Sequence, residues 1–530
     1  MMKMSLVIIV SVVSLVPLSG KTQQSNDIIF DYPSEPVSML GHAPSGYISN
    51  DIKLVGRDDD LPYLVISNGI DLVAQDNMVI DISNPSYPLW LSGPSERNFN
   101  MALGDIDLDG RLDMASSISR GRYGQQYEGG ASVTYNFLSF AAPKNNKSNI
   151  SPTWKTSDQY NGYGITLADI DADGDLDLIT GSVVYSIEGQ PAPKGQGYSR
   201  IYLNESGALN TKPVWTSAEV LNANDIIARD INQDGWIDLV FAGDNVSVFY
   251  GSQPDDNKVP FKQSPDWQTN YEGKYIRDVD AGLFNGFETL SIAASIGCDY
   301  AVDSHITPCK DAGFAIFQPE KSTKPVWVSD TNFIPSGVTL ADLNTDGHLD
   351  LAGVNWFVPS RLNQGDMKLH SNLYMFKGLD KGWLDKKPSY TSKLSKGMHN
   401  ILEDVAIGNF HIAPDFTKNV CTQSFSVNDD WSIFTLQHQL IEKIISVRVN
   451  DKPITPTTKV SLSEPKNRHT WLTTVGTNWI TISPAVKKGD HVEVKYTTPL
   501  YQDIVITNSN PGSYPIFKFK TGSQSNFCDN

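Results

Sequence analysis

The stretch Asp169-Ile-Asp171-Ala-Asp173-Gly174-Asp175-Leu-Asp177 has carboxylates at positions one, three, five and nine of a nine-residue loop, with glycine at position six. Carboxylates this close together repel one another unless a cation lies among them. Calcium suits such a loop because it takes six to eight hard oxygen ligands, and the glycine permits the sharp turn. For a single copy, a solvated acidic turn would be the alternative interpretation.

The loop is repeated with the same spacing. The other three copies are Asp105-Ile-Asp107-Leu-Asp109-Gly110-Arg-Leu-Asp113, Asp230-Ile-Asn232-Gln-Asp234-Gly235-Trp-Ile-Asp238 and Asp342-Leu-Asn344-Thr-Asp346-Gly347-His-Leu-Asp350. Position seven varies freely, so its backbone carbonyl is the expected ligand there. The repeat predicts about four structural Ca²⁺ ions, held at Asp105, Asp107, Asp109, Arg111, Asp113, Asp169, Asp171, Asp173, Asp175, Asp177, Asp230, Asn232, Asp234, Trp236, Asp238, Asp342, Asn344, Asp346, His348 and Asp350.

A second signature precedes each loop. Pro-x-Trp or its equivalent ends at Trp90, Trp154, Trp215 and Trp327, each fifteen residues before the first aspartate of a loop. The unit recurs roughly every 50–65 residues, which suits a four-stranded blade. Short β-branched and aromatic runs bounded by Gly, Asn and Pro predict strands. Regular spacing next to proline favours blade packing over sugar stacking as the role of the tryptophans.

Seven units can be counted, including copies without the acidic series near 52–66, 278–288 and 403–410. The fold class predicted is therefore all-β: a seven-bladed β-propeller of four-stranded blades, with a small β-sandwich in or after the last blade. The chain resembles the FG-GAP/VCBS-type (integrin α-like) repeat family over roughly residues 35–410. This resemblance implies a propeller with calcium in the blade hairpins, although the Phe-Gly and Gly-Ala-Pro residues of the family are poorly kept.

The C-terminal region suggests an interrupted last blade. Residues 421–500 are predicted to form the small sandwich, and residues 28–410 the blades, closed by 501–520. Asp503–Asn508 resembles a second strand and Pro515–Lys520 a third, so blade seven is predicted from 401–410, 502–508, 514–520 and a strand near 33–39. The sandwich would then interrupt the first hairpin of that blade. Such closure removes an exposed sheet edge.

Residues 1–20 have the pattern of a secretory signal peptide, with one early lysine and an apolar run. The predicted location is therefore secreted or extracellular, with a periplasmic or cell-surface site also open, and no membrane span after removal of the signal. Lys+Arg number 42 against 60 Asp+Glu, giving a net charge of −18. Without a basic block, nucleic acid is not an expected partner.

Four cysteines in an exported chain should pair. Cys298 and Cys309 lie eleven residues apart in one loop, so a local bridge is the simplest pairing, and Cys421 would then bond Cys528. The two other connectivities remain open.

The face opposite the acidic loops is the predicted ligand face. Turns alternate between the two faces of a propeller, so the strand-two-to-three loops at 118–130, 183–199, 295–313 and 354–372 share the other side. Functional groups concentrate on such loops. Aromatic rings beside charged groups suit sugars, which makes the candidate ligand residues Arg122, Tyr123, Tyr185, Tyr198, Tyr300, His305, Trp356 and Arg361.

No hydrolase, zinc-protease or phosphate-loop motif is present in the sequence. The predicted function is therefore that of a secreted, calcium-binding propeller that binds a glycan or surface partner without catalysis, as a lectin or adhesin does. The alternative is a propeller-type polysaccharide lyase acting on acidic glycans, with an acid and a base on the loop face.

Overall fold

The computed structural model of the chain describes most of the strands and the turns next to them. The described residues are 30, 32, 38–40, 49–57, 61–70, 73–84, 88–92, 96–120, 128–138, 152–184, 195–255, 259–270, 274–298, 312–331, 333–356, 371–393, 402–410, 419–439, 441–463, 468–499, 502–508, 514–518 and 528. The predicted signal peptide at 1–20 lies outside them. No helix among the described residues has the length and apolar character needed to span a membrane.

Six blades follow one another along the chain, each with four antiparallel strands paired in sequence order. After β1 (Ser38–Leu40), blade one has β2 (Ser49–Val55), β3 (Tyr63–Ile70), β4 (Val73–Ala74, beside β3), β5 (Met78–Asp81) and β6 (Trp90–Leu91). Blades two and three have β7 (Asn98–Gly104), β8 (Asp113–Ile118), β9 (Gly130–Thr134), β10 (Trp154–Lys155), β11 (Gly162–Ala168), β12 (Asp177–Ser182), β13 (Arg200–Tyr202) and β14 (Trp215–Thr216).

Blades four to six repeat the pattern. Their strands are β15 (Asp225–Arg229), β16 (Asp238–Ala242), β17 (Val246–Phe249), β18 (Trp267–Gln268), β19 (Lys274–Gly282), β20 (Ser291–Cys298), β21 (Gly313–Phe317), β22 (Trp327–Val328), β23 (Ile334–Ala341), β24 (Asp350–Trp356), β25 (Leu373–Phe376) and β26 (Tyr390–Thr391). Second strands such as β12 and β16 are buried at every residue. Each lies between two neighbouring blades, which is why both of its faces are buried and its residues do not alternate between buried and exposed.

The remaining strands form blade seven and the inserted domain. After β27 (Leu402–Gly408), the inserted domain contains β28 (Asn419–Ser426), β29 (Trp431–Thr435), β30 (Lys443–Val449), β31 (Lys452–Pro456), α1 (Lys459–Ser463), β32 (Thr470–Leu472), β33 (Trp479–Val486) and β34 (His491–Thr498), and the chain then returns to the propeller as β35 (Asp503–Asn508) and β36 (Tyr514–Phe517).

Blade seven joins the two ends of the chain. Its sheet order is β1-β36-β35-β27, with Ser38 opposite Ile516 and Gly408 opposite Asp503. The strand composition predicted from the sequence is confirmed, with the N-terminal strand at Ser38–Leu40. Seven four-stranded blades therefore form a ring, and the predicted propeller is confirmed.

The inserted domain is a single sheet of seven strands, in the order β28-β34-β30-β31-β32-β33-β29. The sheet is nearly closed and barrel-like, whereas the sequence predicted a two-sheet sandwich. The difference arises at β31, which pairs antiparallel with β30 and parallel with β32 and so joins both halves. The predicted Cys421–Cys528 disulfide is confirmed, and it ties the chain's C-terminal region to β28. Cys309 lies outside the described residues, so its pairing stays a prediction.

The repeated tryptophans are structural. Trp90, Trp154, Trp215 and Trp327 are at most 9% exposed. The indole Nε1 of Trp154 donates to the Leu209 carbonyl at 3.0 Å, and that of Trp327 donates to the Leu384 carbonyl at 2.8 Å. Each bond reaches a residue in the next blade, so the tryptophan fastens consecutive blades together, as the spacing predicted.

We expect Trp327→Phe to shift the denaturation midpoint more than Trp267→Phe. The first change leaves the buried Leu384 carbonyl without its donor, which costs about 1–3 kcal/mol. Trp267 is half-buried, and its indole nitrogen has no hydrogen-bond partner among the described residues. Urea unfolding followed by circular dichroism measures the difference, and equal shifts would argue against the role of the indole bond.

Candidate metal centre

The four acidic loops share one backbone conformation. In each, the residue at position four is left-handed and the glycine at position six also has positive φ. The angles are 57° for Leu108, 57° for Ala172, 59° for Gln233 and 58° for Thr345, and 87°, 96°, 89° and 87° for Gly110, Gly174, Gly235 and Gly347. Glycine tolerates this conformation without strain. The sequence repeat is therefore also a repeat of three-dimensional structure.

The aspartate at position nine holds the loop to the third strand of its blade. One oxygen of Asp177 accepts from the Ile170 N–H at 3.1 Å, and the other accepts from the Asn204 N–H at 2.8 Å. Asp113, Asp238 and Asp350 make the same pair of bonds, the second one to Asn136, Gly251 and Gly378. These predicted ligands are thus firmly placed by backbone groups, and the Oδ1 atom that bonds the third strand keeps a second lone pair.

In three of the loops the first aspartate accepts two backbone N–H groups. Asp105 accepts from Asp109 at 3.0 Å and from Gly110 at 2.8 Å. Asp230 and Asp342 make the equivalent bonds to positions five and six of their own loops. This pattern aims the carboxylate inward. In the first of these loops, ligand oxygens of Asp105, Asp107 and Asp109 lie within 4.8 Å of one another.

The 169–177 loop is the most buried of the four. Ligand oxygens of Asp169, Asp171 and Asp177 lie within 4.8 Å of one another, and all three residues are buried. Oδ1 of Asp169 and Oδ1 of Asp175 have no hydrogen-bond partner among the described residues, although these side chains are only 2% and 0% exposed. Buried, unsatisfied carboxylate oxygens are costly, and a hard cation would satisfy them.

The electrostatics of the loops favour a bound cation. Burial, followed by the charges of Asp173, Asp171 and Asp175, raises the pKa of Asp169 well above its ordinary value. Burial and the Asp173 charge raise the pKa of Asp175 to about 7. Burial likewise raises the pKa of Asp113, Asp230 and Asp342 to about 7. A divalent ion would keep these groups ionised, because it replaces like-charge repulsion with attraction.

The position-seven residues make contacts that leave their carbonyls as the candidate ligands. Their N–H groups donate to the position-five carboxylates at 3.0 Å from Arg111, 3.4 Å from Asp175, 3.0 Å from Trp236 and 3.1 Å from His348. The Arg111 side chain is exposed and lies 3.5 Å from Asp109, while His348 Nε2 lies 2.8 Å from Asp380. That their carbonyls bind metal stays a prediction.

The inserted domain contacts the loops of blades two, three and four. Insertion into the β27–β35 hairpin places it on the face of the ring that carries the four acidic loops (the metal face), because that hairpin lies on the same side as those loops. Lys459 N–H donates to the Leu108 carbonyl at 3.3 Å, Ser483 Oγ to the Ala172 carbonyl at 2.8 Å and Ser432 N–H to the Gly235 carbonyl at 2.8 Å. Each acceptor belongs to a different acidic loop. The sequence analysis placed the insertion correctly but did not foresee this contact.

A group of aspartates outside the acidic loops was also missed. Asp51, Asp225, Asp278 and Asp404 each accept a backbone N–H from the first strand of the next blade, at 2.8, 3.3, 2.5 and 3.1 Å. Each lies in the first strand of its own blade and is followed there by Ile or Val, a repeated dipeptide that could have revealed the set. Asp278 therefore lies within β19.

Most of the predicted ligand face lies outside the described residues. The candidate residues outside them are Arg122, Tyr123, Tyr185, Tyr300, His305 and Arg361. Trp356 is described only as the end of β24. Tyr198 is half-buried, and its carbonyl accepts a bond from Arg200 at 2.7 Å. That these eight residues form one site stays a prediction.

A cavity of about 220 Å³ lies on this face, at the end of blade two opposite its acidic loop. Lys155 lies beside it, with Nζ 2.8 Å from Glu96 and 3.7 Å from Glu128. The residues lining the cavity are Glu96, Arg97, Ile118, Ser119, Glu128, Gly129, Ala131, Lys155, Thr156 and Gln159. Four of these side chains are charged and one is an amide, so the cavity could hold a small ligand with polar groups.

Three solved structures that resemble this chain do so at low sequence identity. No protein-family model matches the chain. The V. cholerae biofilm matrix protein Bap1 aligns with 94% of this chain and 72% of its own length, at 12% identity and a TM-score of 0.35. A Bacillus licheniformis rhamnogalacturonan lyase aligns with 61% of the chain and 59% of its own length (13% identity, TM-score 0.33). The exotype rhamnogalacturonan lyase YesX aligns with 65% and 59% (11% identity, TM-score 0.34). Similarities this low assign no function to the chain.

We expect Gly235→Ala to destabilise the protein more than Gly110→Ala. Both glycines occupy position six with nearly equal φ, so an alanine would be equally strained in the two loops. A Cβ at Gly235 would lie 2.0 Å from Cδ1 of Trp431, whereas one at Gly110 meets nothing within 4 Å. This overpacking should lower the free energy of unfolding of Gly235→Ala by about 1–3 kcal/mol more than that of Gly110→Ala. Thermal melting of both variants measures it, and equal melting temperatures would contradict the packing of Trp431 on this loop.

Proposed function

We propose that the chain is an exported, calcium-stabilised β-propeller that binds an acidic glycan or another surface ligand through the face opposite its acidic loops. The observation that carries the calcium part is the buried carboxylate cluster of the 169–177 loop, with unsatisfied oxygens on Asp169 and Asp175. The Cys421–Cys528 disulfide supports export, because such bonds persist in oxidising compartments. Membership of the FG-GAP/VCBS-type repeat group is part of this proposal.

The role of calcium in this proposal is structural. The acidic loops join the first and second strands of their blades, and their aspartates are bonded to loop and strand backbone. An ion bound there stabilises the folded state because the unfolded chain has no preformed site. The oxygen donors of the four loops fit Ca²⁺ better than a softer metal, since they include no thiolate.

The ligand-binding part rests on the cavity of blade two. Arg97 and Lys155 lie there with Glu96 and Glu128, so the cavity offers charge-assisted bonds to a carboxylate and acceptors for hydroxyl groups. An acidic sugar presents both kinds of group. A polysaccharide lyase acting on the same class of glycan is the second candidate, because Arg97 and Lys155 could neutralise a uronate carboxylate next to a base.

Excess chelator should lower the melting temperature by several degrees, because bound ions stabilise only the folded state. Adding back calcium should restore the original melting temperature. Magnesium should restore a smaller part of the lost melting temperature, because it tolerates crowded, irregular oxygen sites poorly. Differential scanning calorimetry of the mature chain measures both effects. A melt that does not change in chelator would contradict structural calcium.

Lys155→Met should weaken binding of an acidic polysaccharide by about tenfold, since it removes a charged hydrogen-bond donor. Lys212→Met is the matched control: it makes the same charge change on an exposed residue of the β13–β14 turn, on the metal face. A glycan array followed by calorimetry measures the affinities. Equal affinities in the two variants would exclude the cavity, and an unsaturated sugar product detected by ultraviolet absorbance would favour the lyase.

A further inference from the structure

The 169–177 loop is in contact with two domains. On one side lie the propeller strands β11 and β12, and on the other lies β33 of the inserted domain. Thr481 Oγ1 lies 3.4 Å from Asp169 Oδ2, and Ser483 Oγ donates to the Ala172 carbonyl at 2.8 Å. A Cβ on Gly174 would lie 3.2 Å from side-chain atoms of both Leu462 and Ser483. The inserted domain is thus packed directly on the loop.

The interface around this loop is part of a continuous core. Ile433, Leu472 and Trp479 of the inserted domain belong to the same apolar cluster as the buried residues of blades two, three and four. Trp479 is 1% exposed, and its Nε1 donates to the Ala228 carbonyl at 3.0 Å. An ion in the 169–177 loop would therefore be enclosed, whereas Asp109 and Gly110 in the blade-two loop and Gly347 in the blade-six loop are exposed.

Thr481 brings the inserted domain's own oxygen to the carboxylate cluster. Its side chain is fully buried, and a hydroxyl group can donate its proton to Asp169 while a lone pair faces a cation. The unsatisfied Oδ1 atoms of Asp169 and Asp175 belong to the same loop. Calcium accepts hydroxyl and carboxylate oxygens together in a flexible shell.

We propose that the metal centre of the 169–177 loop is shared between the two domains, with Thr481 supplying an oxygen ligand from the inserted domain. The proposal rests on the calcium binding proposed above. It makes this ion different from those of the other loops: the ion can leave only when β33 separates from the propeller, and its binding holds the inserted domain in place. By linkage, loss of this ion loosens the interface.

The rate of ion release tests the shared centre. The calcium-loaded full chain is mixed with a chromophoric chelator, and release should occur in a fast phase from the open loops and a slow phase of one equivalent. Thr481→Val should speed the slow phase by about tenfold, because one oxygen partner is lost, and Thr481→Ser should restore the slow rate. Thr422→Val, at an exposed position of β28, is the control and should change neither phase.

Hydrogen exchange gives an independent measurement of the interface. Chelation or Asp169→Asn should increase exchange in the peptide that contains β33, whereas Asp342→Asn should remove one fast-releasing equivalent and leave β33 protected. Release in a single phase that Thr481→Val does not alter, or β33 exchange that Asp169→Asn does not alter, would overturn the shared centre while leaving calcium binding intact. A wild-type chain that retains no calcium would overturn the proposed function itself.

Discussion

The carboxylate at the end of each acidic loop joins three strands of its blade. One oxygen of Asp177 bonds the start of the loop that follows β11, and the other bonds Asn204 just after β13. Because Asp177 also begins β12, the hairpin and the third strand are fixed to each other at one point. The same arrangement in four blades gives the propeller its regularity. Any ion in these loops therefore acts on strands that the aspartates have already brought together.

Neighbouring blades are joined by contacts other than those of the acidic loops. Tryptophans such as Trp327 bond the next blade near the outer strands, while aspartates such as Asp278 bond the next blade's first strand. These contacts are buried and directional, so each blade fixes the register of its neighbour. Blade seven closes the ring with strands from both ends of the chain, and it thereby removes the exposed edges that an open array would have.

The interruption of blade seven places the inserted domain on the metal face. The inserted domain leaves and re-enters through the hairpin between β27 and β35, the position that holds an acidic loop in four other blades. It must therefore lie on that side of the ring, where it contacts the loops of blades two, three and four through Lys459, Ser483 and Trp431, respectively. The opposite face keeps the cavity beside Lys155, so the proposed metal loops and the proposed ligand cavity are separated by the thickness of the blades.

The sequence by itself determined the repeat, and with it the blade number, the acidic loops and the strands of blade seven. These features are local: Asp-x-Asp-x-Asp-Gly spacing and short β-branched runs specify a turn and its strands wherever they occur. The barrel-like closure of the inserted domain, the interblade bonds of Asp51 and Asp404, and the approach of Thr481 to Asp169 were decided only by the tertiary structure. Thr481 and Asp169 are 312 residues apart, and no local pattern records which surfaces meet when a domain folds back onto the ring.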